Sequence, residues 1–471
     1  MPRSEIHLKR KRITGAVLAL LGLLIPLAAL EPDDAKHLLL RTGFVATPAE
    51  LARLLPLTRA QAVDALIAST RTVARTTPGF LNPDPRTNRP MMVVSPERAL
   101  KAWWSQEMVT TESPLTERMV LFWHNHFTSA FSKVLDVRLL YDQNVLLRRS
   151  ALGNFALLLR DIDLDAAMFI YLDKDSNRAN SPNENYAREV MELFTLGEGQ
   201  QYTEDDIKEA ARAFTGYHLD NRKRVVPRGD HDPRPKLVLG HAVESGQDVI
   251  LQLLLKEERV ATYIAGKFWC EFISEQPDEV VVRTLAADFY RAKYDIRVLL
   301  RATLLSEAFW HPAQRGQLVK SPVEFLVGLA RTLQAPVGEG ELLVEAGRNL
   351  GQDLFEPPNV KGWRGANAWL NCETMLQRWR VVDTLVDAAL RPRENAGKPA
   401  EKKAKAKLGK TTDGCPLVPV PWLDEARSQG AAGVAQTITL LLPLPPAEPI
   451  ADHDFSLALR AILHDATFHL K

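Results

Sequence analysis

Cysteine is scarce in this chain: Cys270, Cys372 and Cys415 are its whole complement in 471 residues, and no two form a CxxC pair. A disulfide framework and a cysteine-based zinc site are therefore not written here. Charge of one sign is equally scarce. Lys plus Arg number 59 against 58 Asp plus Glu, so the formal net charge of +1 lacks the basic excess of a nucleic-acid binder. The sequence also has no Gly-rich loop closing on Lys-Ser or Lys-Thr, no GxGxxG after a strand and no GxSxG elbow. Nucleotide-driven and α/β-hydrolase chemistry fall accordingly, and no cofactor motif remains. What is present is an ordinary globular balance, 46% hydrophobic and 25% charged, with length for about three average domains or one large helical one.

The first thirty residues stand apart. Arg3, Lys9, Arg10, Lys11 and Arg12 face Glu5 alone, and Ile13 to Leu30 then runs eighteen residues without a charge. This is the layout of a secretory signal, so export is expected. Leu27-Ala28-Ala29-Leu30 offers no small-x-small cleavage pattern, and eighteen helical residues span about 27 Å, so an uncleaved, positive-inside membrane anchor is a serious rival. Pro26, Gly15 and Gly22 within the run argue against a buried helix of a cytoplasmic protein. No adjacent arginine pair marks a folded-export signal. Without this segment the body carries a net charge of −3.

Helix-start chemistry sets the fold class. Thr47-Pro48-Ala49-Glu50, Ser181-Pro182-Asn183-Glu184 and Ser321-Pro322-Val323-Glu324 each offer a hydroxyl cap, a proline at the first helical position and a carboxylate three residues on. Ser95 and Ser113 open similar stretches, and apolar residues follow at helical spacing. The expected fold is mainly α: a multi-helix domain over 31–390, with one small β-hairpin or loop insertion near 217–240, where Pro227, Gly229, Pro233 and Pro235 interrupt helix. Residues 391–415 hold Lys398, Lys402, Lys403, Lys405, Lys407 and Lys410 among Ala, Gly and Glu, which reads as a basic low-complexity linker. No aromatic residues interleave with those lysines, which disfavours a nucleic-acid tail. A helical C-terminal segment follows over 416–471.

Three places hold residues of catalytic type. Between Asn183 and Gly197 a helix of about four turns, opened by Ser181 and closed by Gly197, puts Asn185, Arg188, Glu189 and Glu192 on one face with Glu184 at its edge. Arg188 is spaced to pair with Glu184 and Glu192. The row is either an exposed ion-pair face or the wall of an interior cleft, in which the carboxylates need a cation, a ligand or a shared proton. His124 and His126, in Phe122-Trp123-His124-Asn125-His126-Phe127, point about 200° apart in a helix and share a metal only if the segment is extended. The alternative is a histidine packed among aromatics. His231 and Asp232, with Lys236 four residues on, read equally as a loop site or as turn chemistry. Phe355 to Trp363 is turn-rich and aromatic, a wall or lid, or a packed Trp363.

These pieces occur together in a known family. Ala35 to Phe44, Phe122 to Phe127, Asn183 to Gly197, Phe214-Thr215-Gly216-Tyr217, His231-Asp232 with Lys236 to Gly240, Lys320 to Glu324 and Pro357 to Trp363 stand in the order that resembles the bacterial domain of unknown function 1800 family, over about residues 31–390. The glycine usual between that family's His-Asp and its Lys is missing from His231-Asp232-Pro233-Arg234-Pro235-Lys236. The resemblance implies an exported protein, often encoded beside a second exported protein of sulfatase-like type. It carries over no catalytic residues.

Two functions are expected to compete. One is an exported or membrane-tethered enzyme of hydrolytic or metal-assisted type, with Glu184, Arg188, Glu189, Glu192, His124, His126, His231 and Asp232 around a polar cleft and Arg188 holding an anionic group. The other is a non-catalytic envelope scaffold or partner of the sulfatase-like neighbour. Metal binding is left open and no ligand set is assigned.

Overall fold

The computed structural model describes residues 29–81, 95–243, 246–334, 340–390 and 420–471. Both the apolar run up to residue 28 and the basic stretch 391–415 lie outside these residues. Among the described residues the chain forms 22 α-helices, with 62% of it helical, and two small two-stranded antiparallel sheets.

Local chemistry explains many helix starts. Thr47 and Ser321 each accept the N–H of the residue three on, whose glutamate returns to the cap's own N–H, and a proline occupies the first helical position. Ser95 accepts from the Arg98 N–H in the same way. The 217–240 region holds not one hairpin but most of two. Tyr217–Leu219 pairs with Val225–Pro227, and Lys236–Val238 pairs with His241–Val243. Each strand pairs with its sequence neighbour because each connection closes locally. The Asp220 carboxylate collects the N–H groups of Arg222 and Arg224, and Leu239 and Gly240, both at positive φ, make a two-residue turn.

Two hydrophobic cores carry the fold. The larger gathers residues from Leu30 to Leu304 with Phe309 and Phe355, among them Trp104, Trp123, Phe127, Phe155 and Phe268. The smaller joins the Pro322–Leu333 and Cys372–Ala389 helices to the 420–471 segment through Leu329, Val382, Leu459 and Phe468. The Pro322–Leu333 helix serves both. Val323 and Val327 face the larger core, Phe325, Leu326 and Leu329 the smaller, and only Arg331 along its length is not buried. A helix apolar toward both cores has to be interior, and its one buried carboxylate, Glu324, is paired. Its Gly328 lies so close to the chain at Phe44 that a Cβ would sit 2.5 Å from the Phe44 carbonyl oxygen. Buried charges bridge the cores: Arg118 donates to Glu324 and Glu271, and Lys471 donates to Glu324.

Candidate functional site

The helix carrying the acidic row starts later than its sequence suggests and changes pitch midway. Ser181 is not its cap; it is bridged to Arg178, and the Asn183 side chain accepts the Asn185 N–H at 2.9 Å. Regular helix runs only over Asn185–Glu189, and Val190–Thr195 is a π-helix. The Leu196 N–H reaches back five residues to the Met191 carbonyl, while the Thr195 hydroxyl donates to the Val190 carbonyl at 2.6 Å. Such π-turns are uncommon and gather at functional sites.

Arg188 is fully engaged. It donates to Glu184 at 3.2 Å and Glu192 at 3.4 Å, and bidentately to Glu204 at 2.7 and 2.9 Å. The third carboxylate is thus Glu204, from the neighbouring Glu204–Ala213 helix, and not Glu189. The Arg188 pKa is raised, above all by the Glu204 bond, and the guanidinium has no donor pair left over for an incoming anion. The row is neither buried nor fully open, with side chains 37% exposed at Glu184 and 18% at Glu192.

Glu189 makes no hydrogen bond or ion pair to any described residue. Burial, then the charge of Glu192, pushes its pKa up to about 7, against the pull of Arg188 and Lys361. Lys361 comes from the Phe355–Trp363 loop and donates to Glu198 at 2.5 Å. That loop does two things at once. Trp363 packs inward, with its backbone N–H donating to Asn125 Oδ1 at 2.8 Å, while Lys361 points toward the acidic row. Gly362 permits this, at φ +80° with a Cβ position only 2.2 Å from Asn125 Oδ1. The chemistry on offer is therefore a half-buried carboxyl poised to gain or lose a proton near neutral pH, bordered by acids and one lysine.

The histidines do not join it. The Pro114–His126 helix runs through both, so His124 and His126 diverge and cannot share a metal from one face. His124 is buried between Trp104 and Phe355, and its Nε2 accepts the Phe355 N–H at 3.3 Å. Burial holds its pKa at about 3, so it stays neutral. His126 packs among Trp123, Phe127 and Phe194, and burial holds its pKa well below the usual imidazole value. Neither reaches across a gap to Glu189.

His231 and Asp232 form a clasp on the Glu204–Ala213 helix. Asp232 is buried, accepts from Arg234 at 2.5 Å and Arg212 at 2.8 Å, and is held far below the usual carboxylate range, first by Arg234, against the opposing effect of burial. His231 Nδ1 donates to the Thr215 carbonyl at 2.9 Å, and the Lys236 ammonium donates to the carbonyls of Asp232 and Arg234. Asp232, Arg212, Arg234 and Lys236 are thus satisfied within the clasp, while the buried His231 Nε2 has no hydrogen-bond partner among the described residues. Among the described residues no three His, Cys, Asp or Glu side chains converge as metal ligands.

A family model described as "Protein of unknown function (DUF1800)" matches residues 37–458. The chain belongs to the DUF1800 family. The match takes in the acidic row, both imidazole segments, the clasp and the Lys361 loop of this DUF1800 protein, so all of them lie within the family domain. No curated protein and no solved structure matches the chain. Reading the DUF1800 chain as a sequence missed two members of the site. Glu204 had a signal, because Thr203-Glu204-Asp205-Asp206 is a helix-start pattern that loads acid onto a first turn. Lys361 had none beyond its place in a rigid loop.

Proposed function

We propose that this DUF1800 protein is exported or membrane-tethered and carries an acid–base site of hydrolytic type centred on Glu189. One observation carries the site: Glu189 alone in the row escapes Arg188, and its carboxyl sits at about 7. A carboxyl at that pKa is protonated in about half of the molecules at neutral pH, the condition under which one group both delivers and accepts protons efficiently. Glu189 gives its proton to a leaving group or takes one from water, and Lys361 and Glu192 border the reacting atoms. Arg188, Glu184 and Glu204 hold the frame, and His124, His126, His231 and Asp232 support the fold around it. The N-terminal run of five basic residues followed by eighteen uncharged ones supports export. No helix among the described residues is long and apolar enough to cross a membrane, so the tether in this reading is the 13–30 segment.

The test is direct. Carboxyl-selective ¹³C NMR of the purified protein should show one glutamate titrating near 7 that vanishes in Glu189→Gln, and turnover of chromogenic ester, glycoside or peptide substrates should vanish with it. A Glu189 midpoint near 4.5 removes the site. Fractionation of a tagged full chain tests export, and signal confined to the cytoplasm overturns it. The second reading, a non-catalytic envelope scaffold serving a sulfatase-like neighbour, is favoured by the saturation of Arg188. It predicts that Glu189→Gln changes no turnover while the partner still co-purifies.

A further inference from the structure

A polar cleft, which includes none of the acidic row, opens beside the Glu258–Phe272 helix with a volume of about 1150 Å³. Its walls come from that helix, the end of the Pro114–His126 helix and the start of the Glu279–Arg291 helix. Phe122, Tyr263 and Val282 make part of the lining apolar. Two polar groups within it have no counterpart. Lys267 makes no hydrogen bond or ion pair to a described residue, and its ammonium lies 5.1 Å from the centre of the Tyr263 ring. His126 lines the same cleft at 4% exposure, with no hydrogen-bond partner for either ring nitrogen.

Several of the neighbouring charges are already committed, while Lys256, Glu257 and Glu258 line the cleft without an ion pair to a described residue. Arg259 donates to the Leu196 carbonyl, Arg283 pairs with Glu279, and Glu271 accepts from Arg118. The titratable and charged groups lining the cleft with Lys267 are Glu258, Arg259, Tyr263, Cys270 and Glu271 on its own helix, Lys256 and Glu257 just before it, His126 from the Pro114–His126 helix, and the Glu279–Arg283 pair opposite. Burial brings the Lys267 pKa down to about 8, opposed by Cys270, and the lysine's charge in turn helps keep His126 neutral. A half-buried cation without a counterion lacks compensation that an anion supplies.

We infer that this cleft is a binding site for a small organic carboxylate with an aromatic or apolar body, the head on the Lys267 ammonium and the His126 ring N–H and the body against Phe122 and Tyr263. Lys267 beside a neutral imidazole balances a single negative charge, and the Lys256 ammonium on the rim is offset by Glu257 and Glu258. A phosphate dianion would be left under-neutralised with Glu271 nearby. The Tyr263 and Phe122 rings give the body the flat apolar contact expected of small-molecule sites.

Benzoate is the probe. Isothermal titration and saturation-transfer NMR on the full chain should detect benzoate binding to the wild type, weakened about tenfold or more in Lys267→Met, the loss of a charge-assisted hydrogen bond. Lys267→Arg should recover part of the affinity, and neutral benzyl alcohol should bind neither protein measurably. Because a core variant can misfold, the wild type also carries its own test: after reductive ¹³C-methylation, the Lys267 resonance should titrate near 8 and move upward with benzoate. Benzoate bound equally by wild type and Lys267→Met, no benzoate binding at millimolar concentration, or phenyl phosphate binding more tightly than benzoate would each overturn the assignment. Benzoate binding that survives in Glu189→Gln separates this cleft from the acid–base site.

Discussion

Replacing Glu189 with glutamine should make the protein more stable at pH 8 and leave it nearly unchanged at pH 4. A carboxyl with an ordinary value of 4.5 that stands at about 7 in the folded protein binds its proton more tightly folded than unfolded. Stability contributed by that proton is complete below 4.5, and it is lost as pH rises toward 7, beyond which the folded state carries the full cost of a half-buried carboxylate. At roughly 1.4 kcal/mol per pH unit the gap amounts to about 3 kcal/mol in a sealed site. Glu189 is only half-buried and water screens it, so about 1–1.5 kcal/mol is expected. Glutamine keeps the shape and removes the charge. Urea unfolding at pH 4, 6 and 8 reads the effect as a midpoint difference between variant and wild type that opens across that range and then stays constant. Glu204→Gln is the control of opposite sign, because its bond to Arg188 holds the Glu204 carboxyl below its usual value, so removing that carboxylate lowers stability at pH 8. Equal midpoints for Glu189→Gln and wild type at every pH would refute the reasoning.

Three further outcomes follow from the same geometry. Burial pushes the Glu324 carboxyl up, but Arg118 and Lys471 outweigh it and hold it down at about 2. Its contribution to stability is therefore present above 4.5 and lost as pH falls to about 2. Glu324→Gln leaves the buried Lys471 with only a 4.0 Å approach to Glu271 and Arg118 with Glu271 alone, and should cost about 3–5 kcal/mol at pH 7, a deficit that thermal scans should show shrinking below pH 4.5; a deficit constant to pH 2 contradicts it. Gly362→Ala forces a Cβ against the Asn125 amide at φ +80°, and should destabilise by more than the roughly 1 kcal/mol typical of glycine replacement at a strained backbone position, read by denaturant midpoint. An unchanged midpoint would mean the loop relaxes. Asp232→Asn should loosen both hairpins without unfolding the cores, seen in hydrogen exchange as faster amides over 217–243 alone; faster exchange throughout would show that the clasp supports the whole domain.

Helix-rich architecture, capping at Thr47 and Ser321, and the Arg188 pairs to Glu184 and Glu192 were legible because each depends on residues three or four apart. At that spacing the chain's own geometry brings the partners together whatever lies around them. Ser181 shows the limit of local reading: its hydroxyl and Pro182 also suit a bend, and the helix starts at Asn185. The switch to π-pitch after Glu189, the arrival of Glu204 as a third carboxylate and the approach of Lys361 needed the folded chain. So did the fate of His124, whose Nε2 accepts from Phe355, 231 residues along the sequence. Composition and periodicity determined that this protein is a helical body with charged side chains at helical intervals. Which carboxylate stands unpaired, which imidazoles sink among aromatic rings and which lysine faces an open cleft were decided by tertiary packing, because burial and charge at a point are set by whatever the rest of the chain places beside it.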